Sequence, residues 1–139
     1  MQKQVSQRLT QRFQAYLDLV AEIDDDLLGE KVDVPKHKSL AEHLWCVVGA
    51  RESYTRAIEA GAWQGFNCSM TAYAVSDFTA ALTESAQAAN EAIANVDEWD
   101  DERLALLATL TEHEVMHEGQ IIRHMYALER TLPDSWVWA

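Results

Sequence analysis

The chain has 139 residues, of which 48% are apolar, with only five glycines and two prolines. This length and composition suffice for one domain, residues 1–139, with a sizeable hydrophobic core. Its 23 acidic and 11 basic residues give a net charge of −12 with neutral histidines, which argues against binding to nucleic acid or to anionic lipid.

The cysteines and the N-terminus predict a cytoplasmic protein. Cys46 and Cys68 form no CxxC pair, and a chain of this size needs no disulfides. Residues 1–16 lack the apolar region of a secretory signal. No run approaches the roughly 18 to 20 uninterrupted apolar residues of a membrane span, so we expect no membrane contact.

Apolar residues at helical spacing predict a first helix that runs to about Leu28, where Gly29 ends it. Its stripe comprises Val5, Leu9, Phe13, Tyr16, Leu17, Val20, Ile23 and Leu27. A loop containing Pro35 follows. Ser39 with Glu42 three positions later forms a capping box, which predicts the start of a second helix that ends at Gly61.

Residues 62–74 show no period and predict a long connection. The third helix is predicted from Val75 to about Val96, and the fourth from Asp101 to about Arg130. No segment has the pattern of a strand. Four amphipathic helices bury their apolar stripes most simply as a bundle, so we predict an all-α four-helix bundle with a long connection between helices two and three.

The last predicted helix carries polar residues along its apolar face. With about 100° per residue and His113 at zero, His117 lies at about 40°, Gln120 at about −20° and His124 at about 20°. An unpartnered buried polar group costs on the order of 1 to 3 kcal/mol, so such a row needs a shared partner. A metal ion is one such partner.

Three histidines are therefore candidate metal ligands. His113 and His117 are separated by one helical turn, so their imidazoles can converge on one ion. His43 lies on the apolar face of the second helix. Three protein ligands leave positions free for water or substrate, which suits catalysis. We expect His124 to be a core or supporting residue and His37 to be a solvated loop residue.

Each neighbouring residue has at least one functional reading and one structural reading. Cys46, one turn after His43, is a soft ligand, a reactive thiol or inert packing. Gln120 is a candidate catalytic residue that orients a ligand or substrate, or else links two helices. Glu114 is a second candidate catalytic residue, although it lies about 100° from His113 on the helix flank. The alternative for Glu114 and Glu118 is a solvated, charged helix face.

The segment His113–His117 matches HExxH, the zinc peptidase signature in which Glu is a general base. Peptidases of that kind present substrate along an edge strand and take a further ligand downstream. This chain predicts no strand, and only His124 could serve as that ligand. A metallopeptidase is therefore the remote alternative.

A wider pattern combines SLAEHLW (39–45), HEVMHEGQIIRH (113–124) and LPDSW (132–136). It resembles the DinB-like (DinB/YfiT) superfamily, whose helical layout would cover nearly the whole chain. The resemblance implies that His43, His113 and His117 bind a divalent metal, commonly zinc or nickel, and that Gly119 and Gln120 match the Gly-Gln after the last ligand. It also implies a homodimer and an unusual bundle topology.

Relatives of that superfamily include metal-dependent transferases that add low-molecular-weight thiols such as bacillithiol to electrophiles, thiol-dependent isomerases and a hydrolase-like branch. The resemblance thus implies a small-molecule substrate, a thiol cosubstrate and a metal that activates thiolate or water. Two alternatives remain: a metal-binding or stress-response protein without catalysis, and a purely structural helical dimer without metal.

Overall fold

The computed structural model describes residues 1–139 and is all-helical, as predicted, with no strand. Four of the five helices are long. The helices are α1 (Gln2–Val20), α2 (Asp25–Gly29), α3 (Leu40–Ala60), α4 (Val75–Ala94) and α5 (Asp101–Ala127).

The predicted extension of the first helix to Leu28 is wrong, because α1 ends at Val20 and a separate short helix, α2, follows. The side chain of Asp24 accepts a hydrogen bond from the backbone N–H of Leu27 and caps α2. Three consecutive carboxylates, 24–26, would oppose the dipole at the C-terminal end of α1, whereas they stabilise the N-terminus of a new helix. Leu27 and Leu28 still reach the core.

The predicted limits of the second long helix are confirmed. Ser39 accepts from the backbone N–H of Glu42, and the Glu42 carboxylate accepts from the backbone N–H of Ser39, so the capping box is complete. Gly61 ends α3 in the left-handed conformation, at φ 74°. Since glycine adopts positive φ without a steric penalty, it is the residue suited to this cap.

All four long helices contribute to the buried interior. Helices α1 and α3 each pack against α4 and α5, and α2 packs against α3. Buried apolar residues form two clusters, one centred on Leu44, Phe78 and Ile121 and the other on Phe13, Ile58 and Leu110. A layer of buried charge, described below, lies between them.

The C-terminal segment folds back onto α1. Trp136 is buried, donates a hydrogen bond from its indole N–H to the carbonyl of Ala15 at 2.7 Å, and meets the ring of Tyr16 edge-on. The LPDSW segment therefore helps to close the core at the end of the molecule that holds the histidines. None of the helices is both long enough and apolar enough to cross a membrane.

The 62–74 connection crosses α3 at Gly49. A Cβ atom on residue 49 would collide with the ring of Phe66 and would lie 2.9 Å from the Cβ of Cys68. We therefore expect Gly49→Ala to lower the free energy of unfolding by about 1–3 kcal/mol through overpacking. The measurement is urea denaturation.

Gly119 provides the control, because it is also helical but a Cβ there would meet nothing within 4 Å. Gly119→Ala should raise the free energy of unfolding by roughly 0.5–1 kcal/mol, as expected for an open helical site. Equal stabilisation by both substitutions would show that the connection does not approach α3 as described.

Candidate functional site

All five histidines of the chain lie in one cluster, arranged as a continuous row of rings. The distances between neighbouring ring centroids are 5.0 Å from His37 to His124, 6.5 Å from His124 to His43, 5.2 Å from His43 to His117, and 4.5 Å from His117 to His113. The structure thus brings together the three predicted metal ligands, His124, which was predicted to share their face, and His37, which was expected to lie in a solvated loop.

Local structure explains how the three candidate ligands meet. His43 is in the first turn of α3, where the capping box fixes the start of the helix. His113 and His117 are one turn apart on α5, which packs against α3. His43 and His117 are buried, and His113 is half-buried at the edge.

Burial keeps the inner imidazoles neutral. It lowers the pKa of His43 to about 4, with a further contribution from the ammonium of Lys38, and the pKa of His117 to about 3, with a further contribution from His113. Burial also lowers the pKa of His113 and of His124. A neutral imidazole has a free lone pair, which is the form that binds metal.

Two imidazole nitrogens already stand near ligand spacing. His43 Nδ1 and His117 Nδ1 are 3.0 Å apart, whereas two nitrogens on one tetrahedral zinc at about 2.0–2.1 Å would be about 3.3 Å apart. His113 Nδ1 is buried with no hydrogen-bond partner. A buried ring nitrogen without a partner is costly unless something binds it.

The three imidazoles do not form a ready-made metal site. No group of three or more His, Cys, Asp or Glu side chains is arranged so that it could hold a metal ion. The structure therefore shows a close pair of nitrogens, from His43 and His117, and the unpartnered nitrogen of His113 near them, but no complete set of metal ligands.

The expectation that His37 is solvated is wrong. Its Nε2 lies 2.7 Å from Nδ1 of His124, and the two rings stack. His124 is fully buried, and its Nε2 has no hydrogen-bond partner. This contact fastens the loop before α3 to the far end of α5.

A cleft of about 550 Å³ opens beside the candidate ligands. Gln120 lies at its exposed rim rather than inside, where the helical wheel had placed it, and Gly119 lies beside it. Cys46 also lines the cleft, and the ammonium of Lys38 lies 3.7 Å from its sulfur. The remaining lining residues are Lys36, His37, Lys38, His43, His113, Met116, His117 and Arg123.

Glu114 and Glu118 are both fully buried, so a solvated helix face is the wrong reading for them. The Glu114 carboxylate accepts two hydrogen bonds from Arg51, at 2.7 and 2.9 Å, and does not line the cleft. Glu118 pairs with Arg12 at 2.6 Å. Burial nevertheless raises the pKa of Glu118, against the effect of Arg12.

Arg51 is the important residue that the sequence pattern missed. It is fully buried, its guanidinium lies 4.3 Å from the ring centroid of Phe13, and it donates to the carbonyl of Leu82. One signal was present: Arg51 interrupts the apolar stripe of α3. A charge inside an apolar stripe is rarely buried without an opposite charge, so it predicts a buried ion pair but does not name the partner.

Comparisons with protein-family models and with curated proteins found no match for this chain. Membership of the DinB-like superfamily therefore stays a prediction that depends on the three sequence segments quoted above.

Proposed function

We propose that this chain is a DinB-like four-helix bundle that binds one divalent metal ion, zinc or nickel, through His43, His113 and His117. The observation that carries the proposal is the contact between His43 Nδ1 and His117 Nδ1 at 3.0 Å, beside the unpartnered Nδ1 of His113. A change in the His113 side-chain rotamer would be needed to bring the third nitrogen to the ion.

The proposed reaction is transfer of a low-molecular-weight thiol to a small electrophile. A bound divalent ion would supply a lowered pKa for a thiol or water placed on it. The chain itself contributes neutral imidazoles, the exposed ammonium of Lys38 beside Cys46, and the Gln120 amide at the rim to orient a cosubstrate.

The cleft gives no support to hydrolysis of the HExxH kind. No Asp or Glu lines it, and both oxygens of Glu114 are held by Arg51. A carboxylate general base in the HExxH manner must reach the attacking water, and Glu114 is not placed to do so. The metallopeptidase alternative therefore has no support from the geometry.

The test is the metal content of protein purified without added metal, measured by elemental analysis. We expect near-stoichiometric metal in the unaltered chain and at least about a tenfold loss of affinity in each of His43→Ala, His113→Ala and His117→Ala, since loss of even a supporting group costs 10–100-fold. His37→Ala is the matched control, because it removes an imidazole of the same cluster outside the ligand set. Metal that survives all three substitutions would reject the site.

Catalysis needs a separate assay. Bacillithiol, glutathione and cysteine would be offered with 1-chloro-2,4-dinitrobenzene and the conjugate measured by absorbance. Turnover that disappears in His117→Ala but persists in His37→Ala would support a transferase. Bound metal without turnover across a broad panel of electrophiles would favour the non-catalytic metal-binding protein.

A further inference from the structure

The histidine cleft has a charge opposite to that of the whole molecule. Lys36, Lys38 and Arg123 line it, and no acidic residue does. The chain as a whole has 23 acidic and only 11 basic residues. A patch of three cations without a carboxylate is therefore a departure from the average surface, and it lies at the candidate site.

None of these three cations forms a salt bridge within the protein. The salt bridges of the structure use other basic residues, namely Arg12, Lys31, Arg51, Arg103 and Arg130. Lys36, Lys38 and Arg123 are exposed at the cleft. Their charges are thus available to a ligand.

The electrostatic consequence is selective attraction. A cleft lined by charges of one sign concentrates the field and raises the local concentration of oppositely charged small molecules. Because the net charge of −12 repels anions on average, the three cations give the cleft a local attraction for an anion that the average surface lacks.

A second cleft of about 480 Å³ adjoins the first. Lys38 and Cys46 line both, so the two clefts share a wall. The second is mainly apolar, with Ala41, Trp45 and Tyr73, and its one carboxylate, Glu42, is bound to the backbone of Ser39 and lies near Lys31. Tyr73 is 53% exposed, so an aromatic surface faces the solvent here.

We infer that the two clefts together bind a small organic anion, with its carboxylate or phosphate held by Lys36, Lys38 and Arg123 and its apolar group against Trp45 and Tyr73. The inference of an anionic ligand rests on the proposed function in one respect only: the metal site would determine which group of the bound anion reacts. The joint shape matches such a molecule because Lys38 stands where the cationic and the apolar cleft meet.

The test compares probes that differ in charge. Binding of 1-naphthylacetate, 1-naphthyl phosphate and the uncharged 1-naphthylacetamide would be measured by calorimetry and located by NMR chemical-shift changes. We expect at least one anion to bind about tenfold more tightly than the amide, with an affinity that falls as salt is raised. The comparison of the two anions identifies the preferred head group.

Variants then assign the charges and the apolar wall. Lys38→Gln with Arg123→Gln should weaken anion binding about three- to tenfold and leave the amide unchanged, since exposed charge pairs contribute modestly each. Lys3→Gln with Arg8→Gln removes the same two charges from outside the clefts and should change nothing. Tyr73→Ser should weaken all three probes. Equal affinity for anions and amide, or no binding at all, would overturn the inference.

Metal content measured on the same samples separates this inference from the proposed function. Selective anion binding in a protein without metal would retain the ligand class and remove the metal function. A metal-loaded protein that binds the anions and the amide equally well would retain the metal function and reject the anionic ligand class.

Discussion

Replacing Arg51 with Met is expected to lower the free energy of unfolding by about 3–5 kcal/mol, because it leaves the Glu114 carboxylate buried without a counter-ion. Both side chains of this pair are fully buried, and two hydrogen bonds join them. The pair also connects α3 to α5 between the two apolar clusters. Urea denaturation followed by circular dichroism measures the change.

The double variant Arg51→Met with Glu114→Leu separates the cost of the unpaired charge from the cost of lost packing. Replacing a buried ion pair by apolar residues of similar volume is often neutral or stabilising, so the double variant should recover most of the loss. The carbonyl of Leu82 then loses one donor, which leaves a smaller residual cost.

Lys31→Met is the matched control, because it breaks the surface salt bridge to Glu42, in which both side chains are more than half exposed. Surface pairs contribute little, so its effect should be far smaller than that of Arg51→Met. If the two single substitutions cost the same, Arg51 and Glu114 do not form the buried pair described.

Acid is expected to destabilise the metal-free protein before most of its carboxylates titrate. Burial lowers the pKa of His43 to about 4 and that of His117 to about 3, whereas a histidine in the unfolded chain titrates near 6.5. Below pH 6.5 the unfolded state therefore binds protons that the folded state does not. Stability is fully present above pH 6.5 and falls as the pH drops toward the two folded-state values.

The diagnostic window is pH 6.5 to 5, where most carboxylates stay ionised. Each proton taken up only by the unfolded state lowers the free energy of unfolding by about 1.4 kcal/mol per pH unit. Urea midpoints measured in a chelator at several pH values should decline steeply across this window. The variant His43→Gln with His117→Gln should show a flatter profile, while a flat profile in the unaltered chain would contradict the neutral, buried state of these rings.

The sequence by itself determined the features that depend on neighbouring residues. The start of α3 at Leu40 follows from the capping box, and the starts near Val75 and Asp101 follow from the apolar period, both of which operate within one or two turns. The same local period placed His113 and His117 on one face. Their meeting with His43 was predictable because each lies on an apolar stripe that must face another helix.

The first helix shows where local pattern was insufficient. Its apolar stripe continues without interruption to Leu27, so periodicity alone predicts one helix. The three carboxylates that follow Ile23 favour the start of a new helix over continuation of the first. The apolar pattern persists because Leu27 and Leu28 of α2 are buried in the core. An apolar stripe in the sequence predicts which residues are buried, but it does not predict whether the helix that carries them is continuous.

Only the tertiary structure decided the partners of the charged residues and of His37. A wheel with one buried face places Glu114 on a solvated flank, but α5 packs against both α1 and α3, so its buried arc is wide enough to enclose Glu114 and Glu118 as well. The contact of His37 with His124 joins residues 87 positions apart. Such contacts depend on which helices become neighbours and on how each is rotated, and that information resides in the packing of the whole chain rather than in any local segment.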